Sequence, residues 1–108
     1  MATERNEKFA NKIKELAAVF LGREGNKTSL INVISVNCSP DLKRATIFIT
    51  VLPLDKEKTA LEFAKRKRAE LRQFLKKNMP VKIIPFIDID IDMGEKNRQR
   101  IDELLRNG

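Results

Sequence analysis

The stretch "AKRKRAELRQFLKKN", residues 64–78, decides how this chain folds. At about 100° per residue on a helix, Ala60, Leu61, Phe63, Ala64, Leu71, Phe74 and Leu75 share one face. Lys67 falls near the middle of that face and Arg68 at its margin. In a straight helix the Lys67 ammonium would point at the core, a heavy cost unless the side chain snorkels or pairs. A break at residues 67–69 removes the conflict: it turns both charges outward and leaves two apolar half-stripes to pack on a sheet. The helical pattern runs from about Thr59 to Lys77, and Pro80 closes it.

Upstream, Phe9, Ile13, Leu16, Ala17 and Phe20 recur at steps of three and four, which predicts a helix over about residues 4–21. "GREGN" then stops it, with Gly22 or Gly25 expected in a left-handed conformation. "LINVISVN" and "RATIFITVL" are rich in Ile, Val, Thr and Phe and read as two strands joined by a tight turn at residues 39–43. After the interrupted helix, "VKIIPFIDIDIDM" places an apolar residue or proline at every odd position from Val81 to Ile91, which predicts a third strand. Pro85 cannot donate to a ladder, so that strand belongs at a sheet edge or carries a bulge. Ile101, Leu104 and Leu105 suit a short C-terminal helix. The order helix, strand, strand, broken helix, strand predicts one α+β domain over residues 1–108, with its helices on one face of a three-stranded sheet.

The totals narrow the function. The chain has 108 residues, enough for one modest core, and its 42% hydrophobic and 34% charged content is that of a globular protein. No apolar run approaches a bilayer span and the opening "MATERNEKFA" lacks a secretory signal core, so the expected location is the cytoplasm with no membrane partner. A single cysteine, Cys38, excludes an internal disulfide and suits packing beside the turn. The absence of histidine removes the usual zinc ligand and the commonest acid–base catalyst. No catalytic residue, metal or cofactor is expected.

With 22 basic residues against 15 acidic ones, the net charge of +7 favours a polyanionic partner. Most of the excess lies between Lys56 and Lys77, which holds nine basic and three acidic residues; the interval from Lys82 to Glu95 holds one base and four acids. The expected RNA-contacting residues are Lys65, Arg66, Lys67, Arg68 and Arg72 around the break, extended by Lys76 and Lys77 and flanked by Lys8, Lys12, Lys43 and Arg44. A merely solvated basic face is the plain alternative. All six phenylalanines fit packing stripes or strands, so recognition by shape and backbone is expected rather than base stacking. "GREG" matches a Gly-x-x-Gly string, but it follows the first helix and precedes a strand, the wrong context for a KH loop. Asp88, Asp90 and Asp92 share a strand face and seed the rival reading, a divalent-metal nuclease; a wet face that discourages edge pairing accounts for the same residues.

A helix, a break and a second helix between strands two and three resembles a type II KH domain, and specifically the ribosome-binding factor A family. "VISVNCSPDLKRATIFITVL" is similar to that family's paired strands with a Ser-x-Asp-Leu turn, carried by Ser39, Asp41 and Leu42. "RQFLKKNMPVKIIPFIDIDID" resembles its helix end and last strand, including Pro85 and Asp92, and Ile101, Leu104 and Leu105 resemble its apolar tail. Two departures stand out: Lys67, Arg68 and Ala69 replace the family's Ala-x-Gly at the kink, and Glu24, Gly25 and Asn26 stand where Asp-Pro-Arg is usual. The resemblance implies a non-catalytic assembly factor that binds the immature small ribosomal subunit and its rRNA and assists late rRNA maturation, with particular importance in the cold; a monomer is expected. The alternative within binding proteins is a KH-type module for other RNA.

Overall fold

Three helices lie against one face of a three-stranded sheet in the computed structural model, which describes residues 4–24 and 29–94. The first helix, α1 (Glu4–Glu24), buries Ile13, Ala17, Phe20 and Leu21 on a single stripe. It runs three residues past its expected end. Gly22 lies inside it rather than in a left-handed turn, and no described glycine has a positive φ. A glycine inside a helix costs only about 1 kcal/mol, which the buried turn before it offsets. Gly25, and the short helix expected on Ile101, Leu104 and Leu105, lie outside the described residues.

Strands β1 (Leu30–Cys38) and β2 (Arg44–Leu52) pair antiparallel from Leu30↔Leu52 to Cys38↔Ala45, with a bulge between Val33 and Ser35. β2 is the middle strand. Its Ala45, Ile47, Ile49 and Val51 are fully buried beneath the helices, while Thr46, Phe48, Thr50 and Leu52 alternate onto the other face. A cis Leu52–Pro53 bond leads into a 3-10 turn, Leu54–Lys56, and then into α2 (Glu57–Arg66).

Between α2 and α3 (Arg68–Asn78) only Lys67 leaves the helical assignment, at φ −91° and ψ 5°. Its N–H is shared between the carbonyls of Phe63 (3.2 Å) and Ala64 (3.1 Å), and its carbonyl accepts the Leu71 N–H at 2.9 Å. The expected break over 67–69 is thus narrower than drawn, because Arg68 and Ala69 already form the first turn of α3. A negative φ needs no glycine. The two apolar half-stripes, Ala60 and Ala64 before the break and Leu71 and Leu75 after it, are all buried.

The last strand, β3 (Phe86–Ile91), pairs parallel with β2 from Arg44↔Phe86 to Ile49↔Ile91 and forms the sheet edge, as Pro85 requires. It is shorter than the alternation suggests. Ile84 and Pro85 are both buried, whereas Ile83 is 81% exposed. Proline brings no N–H to a ladder, and the carbonyls of Ile84 and Pro85 are taken by Arg72 instead of a neighbouring strand.

Candidate nucleic-acid interface

At the helix break, Lys67 and Arg68 each find a partner. The Lys67 ammonium lies 3.4 Å from a Glu70 carboxylate oxygen and 5.8 Å from the centre of the Phe63 ring, so its stem covers the apolar stripe while its head stays near water. Arg68 turns toward the sheet rather than simply outward. Its Nη1 donates to Asp88 Oδ1 at 3.3 Å and its Nε to the Lys65 carbonyl at 3.0 Å, which ties the end of α2 to β3. One turn on, Arg72 donates from Nε to the Pro85 carbonyl (3.2 Å) and from Nη2 to the Ile84 carbonyl (3.0 Å). Lys65 and Arg66 are exposed at the end of α2.

The hairpin turn comes to the same end of the molecule. Ser39 Oγ donates to Asp41 Oδ1 at 2.6 Å and accepts the Arg44 N–H at 3.1 Å. The same Asp41 oxygen accepts the Lys43 N–H at 3.1 Å, and Leu42 sits between them at φ 59°. The Ser39 hydrogen bond, and after it the Lys43 N–H, hold the Asp41 carboxyl below its ordinary range. Phe86 donates its N–H to the Lys43 carbonyl at 2.9 Å, so exposed Lys43 and Arg44 flank the start of β3, the strand that Arg68 and Arg72 also reach. Asn6, Glu7 and Ala10 of α1 share a cavity of about 520 Å³ with Ser39, Pro40 and Arg44. This brings the first turns of α1, with exposed Lys8 and Lys12, to that end as well; Lys12 lies 3.9 Å from Glu15. Cys38 is half-buried beside the turn, and burial pushes its thiol pKa up.

Lys76 and Lys77 stand apart. They occupy the last turn of α3, about 12 Å along the axis from Arg68 at the usual helical rise. Around them Phe20 and Phe74 meet with ring centres 5.7 Å apart, and the Arg23 guanidinium lies 5.2 Å from the Phe74 ring centre. The expected basic residues therefore run along α3 from the convergent end toward its last turn, and Arg72 and Lys76 line one cleft. Between α3 and the segment before β3 lies a cleft of about 380 Å³ lined by Ala69, Arg72, Gln73, Lys76, Lys82 and Ile83. Neither Lys82 nor Ile83 stands out in the sequence as a contact residue. Lys82 sits in an interval dominated by acids, and strict alternation assigned Ile83 to the buried face.

The aspartates have a local use. Phe86 and Asp92 direct their N–H groups at β2, to the carbonyls of Lys43 and Ile49, so the odd-numbered N–H groups of β3 face the open edge. Asp88 Oδ1 accepts the Ile89 N–H and Asp90 Oδ1 the Ile91 N–H, each at 2.8 Å. Carboxylates so placed occupy donors that another strand would need. Among the described residues no three His, Cys, Asp or Glu side chains are grouped to hold a metal ion.

This chain is similar to known proteins. The family model for ribosome-binding factor A matches residues 5–105. Ribosome-binding factor A of Methylobacterium nodulans is 30% identical over 110 residues, 97% of this chain and 82% of its own length. That of Clavibacter michiganensis is 32% identical over 104 residues and 94% of this chain, which spans only 63% of the relative's length. The crystal structure of ribosome-binding factor A from Thermus thermophilus superimposes with a TM-score of 0.70 at 16% identity, covering 78% of this chain and 92% of that one. A Thermotoga maritima structure solved by NMR gives 0.65 at 21% identity, over 77% and 82%. These two structures share the KH-like fold with this chain.

Proposed function

The chain belongs to the ribosome-binding factor A family, and we propose that it is a non-catalytic, monomeric, cytoplasmic factor that binds the immature small ribosomal subunit through its rRNA and assists late rRNA maturation. The observation that supports this reading best is the convergence of the helix break, the Ser39–Lys43 turn and the start of β3, which gathers Lys65, Arg66, Arg68, Arg72, Lys43 and Arg44 at one end of the domain. Cations clustered on one end attract phosphates and set the orientation of approach, while Asp90 and Asp92, farther along β3, repel them. By the same family link the factor matters most in the cold, when rRNA segments rearrange slowly.

Two of the cations have roles within the fold. Arg68 and Arg72 hold β3 and the segment before it, so in this reading they orient the surface as well as contribute charge. Lys65 and Arg66 are exposed and form the cleaner test. Sedimentation with purified small subunits at graded salt is expected to show retention on free small subunits and none on joined ribosomes. Lys65→Gln combined with Arg66→Gln is expected to lower the slope of log K against log salt by about 1.5–2, with an unchanged unfolding midpoint. Equal binding to ribosomal and unrelated RNA would favour a general KH-type module, and no binding to RNA at all would reject the reading.

A further inference from the structure

The cleft between α3 and residues 82–84 is left over once the convergent cations have been assigned. Three of its lining side chains, Arg72, Lys76 and Lys82, are cationic, and none is a carboxylate. Its volume of about 380 Å³ lies within the roughly 300–1,000 Å³ of ordinary ligand sites. Ile83 is the most exposed large hydrophobic side chain among the described residues, and it projects at the rim between Lys82 and the buried Ile84. Arg72 fixes this rim, because its two hydrogen bonds to the Ile84 and Pro85 carbonyls hold the segment against α3.

A cluster of cations alone reads only a backbone. An exposed apolar side chain and a neutral amide, Gln73, in its lining add what a phosphate does not use. Ile83 offers a surface for the face of a base, and the Gln73 amide offers one donor and one acceptor for a base edge. A paired base presents neither its face nor its pairing edge, so only an unpaired nucleotide uses all three features. The RNA-binding reading above, rather than the lining alone, favours a nucleotide over an acidic peptide.

We propose that this cleft is a binding site for one unpaired RNA nucleotide, with its phosphate on Lys76 and Lys82 and its base against Ile83 and Gln73. The inference rests on the RNA-binding reading above and narrows it: contact is not confined to backbone and shape, and it includes one flipped-out or single-stranded position.

The test compares a 12-nucleotide single-stranded oligoadenylate with a blunt RNA duplex of equal length, using the full chain. Ile83→Ser is expected to weaken the single strand about fivefold, from the loss of apolar contact with the base face, and to leave the duplex within twofold. The salt slope should not change, and Ile83→Leu should restore the affinity. Lys82→Gln is expected to lower the slope for the single strand by about 0.7. Ile83 is exposed, so an unchanged thermal midpoint confirms that each variant folds. Equal effects of Ile83→Ser on both RNAs, or none on either, overturn the nucleotide site and leave general RNA binding standing. Failure of the unmodified chain to bind either RNA overturns the nucleotide site, and retention on small subunits then keeps the proposed function standing.

Discussion

The backbone departs from regular structure at Lys67 and at Leu42, and neither residue is a glycine. At Lys67 the dihedrals stay on the negative-φ side, and its N–H keeps the Phe63 and Ala64 carbonyls as partners. Side chains then decorate the break: Lys67 on Glu70 and Phe63, Arg68 on Asp88. At Leu42 the chain enters the left-handed region, and the Ser39 and Asp41 side chains satisfy the backbone of the turn. The two places teach different lessons. The helix break is cheap in backbone terms and is positioned by what the apolar stripe excludes. The turn is strained and is held by short-range hydrogen bonds.

The largest expected effect separates them directly. Ser39→Ala removes the donor to Asp41 and the acceptor for the Arg44 N–H, and should cost about 1–2 kcal/mol at typical net hydrogen-bond values. Asp88→Asn weakens an ion pair whose partners are 40% and 50% exposed, and should cost less than about 1 kcal/mol. Urea denaturation compares the two through midpoint shifts at constant slope. An Asp88→Asn penalty as large as that of Ser39→Ala would mean that the break depends on its ion pair after all.

Glycine scanning sharpens the same contrast by sign. With φ at 59°, Leu42→Gly should be more stable than Leu42→Ala by about 1 kcal/mol, because only alanine carries the left-handed penalty. With φ at −91°, Lys67→Gly should be less stable than Lys67→Ala by about 0.5–1 kcal/mol, the entropic cost of glycine. The same sign at both positions would erase the distinction.

The smallest effect concerns acid. Because hydrogen bonds lower the folded-state pKa of Asp41, its contribution to stability is fully present above its unfolded value near ~4 and disappears as pH falls through the lowered folded value. A carboxyl titration followed by NMR should show the depressed midpoint. Ser39→Ala should move it up toward the ordinary range.

The parts of this fold that were legible in the sequence are those written as a conflict. A lysine in the middle of an apolar stripe demanded a break, and Pro85 demanded an edge; both demands are met at Lys67 and at β3. Where no conflict was visible, the reading drifted. Gly22 signalled a stop, yet buried contacts at Phe20 and Leu21 carry α1 past it. Period-two alternation from Val81 placed Ile83 inside, but a proline with no N–H and an arginine that takes two carbonyls reset the phase, so that Ile84 is buried and Ile83 faces out. The basic surface was legible as a quantity and not as a map. Counting charges cannot tell that Arg68 and Arg72 are spent partly on the domain's own sheet, nor that Lys82, lying among acids in the sequence, faces Lys76 across a cleft.

The parallel pairing of β2 with β3 has a consequence for the order of assembly. β1 and β2 meet across a turn of five residues, whereas the register that sets Arg44 beside Phe86 must wait for the whole stretch from Pro53 to Pro85 to be arranged. Closing the longer loop costs more entropy before any contact repays it. The hairpin is therefore expected to form before β3 docks. The basic end, which needs Arg68 and Arg72 seated on that final strand, comes into being only as folding finishes, so a partly folded chain carries the charge of a binder without its shape.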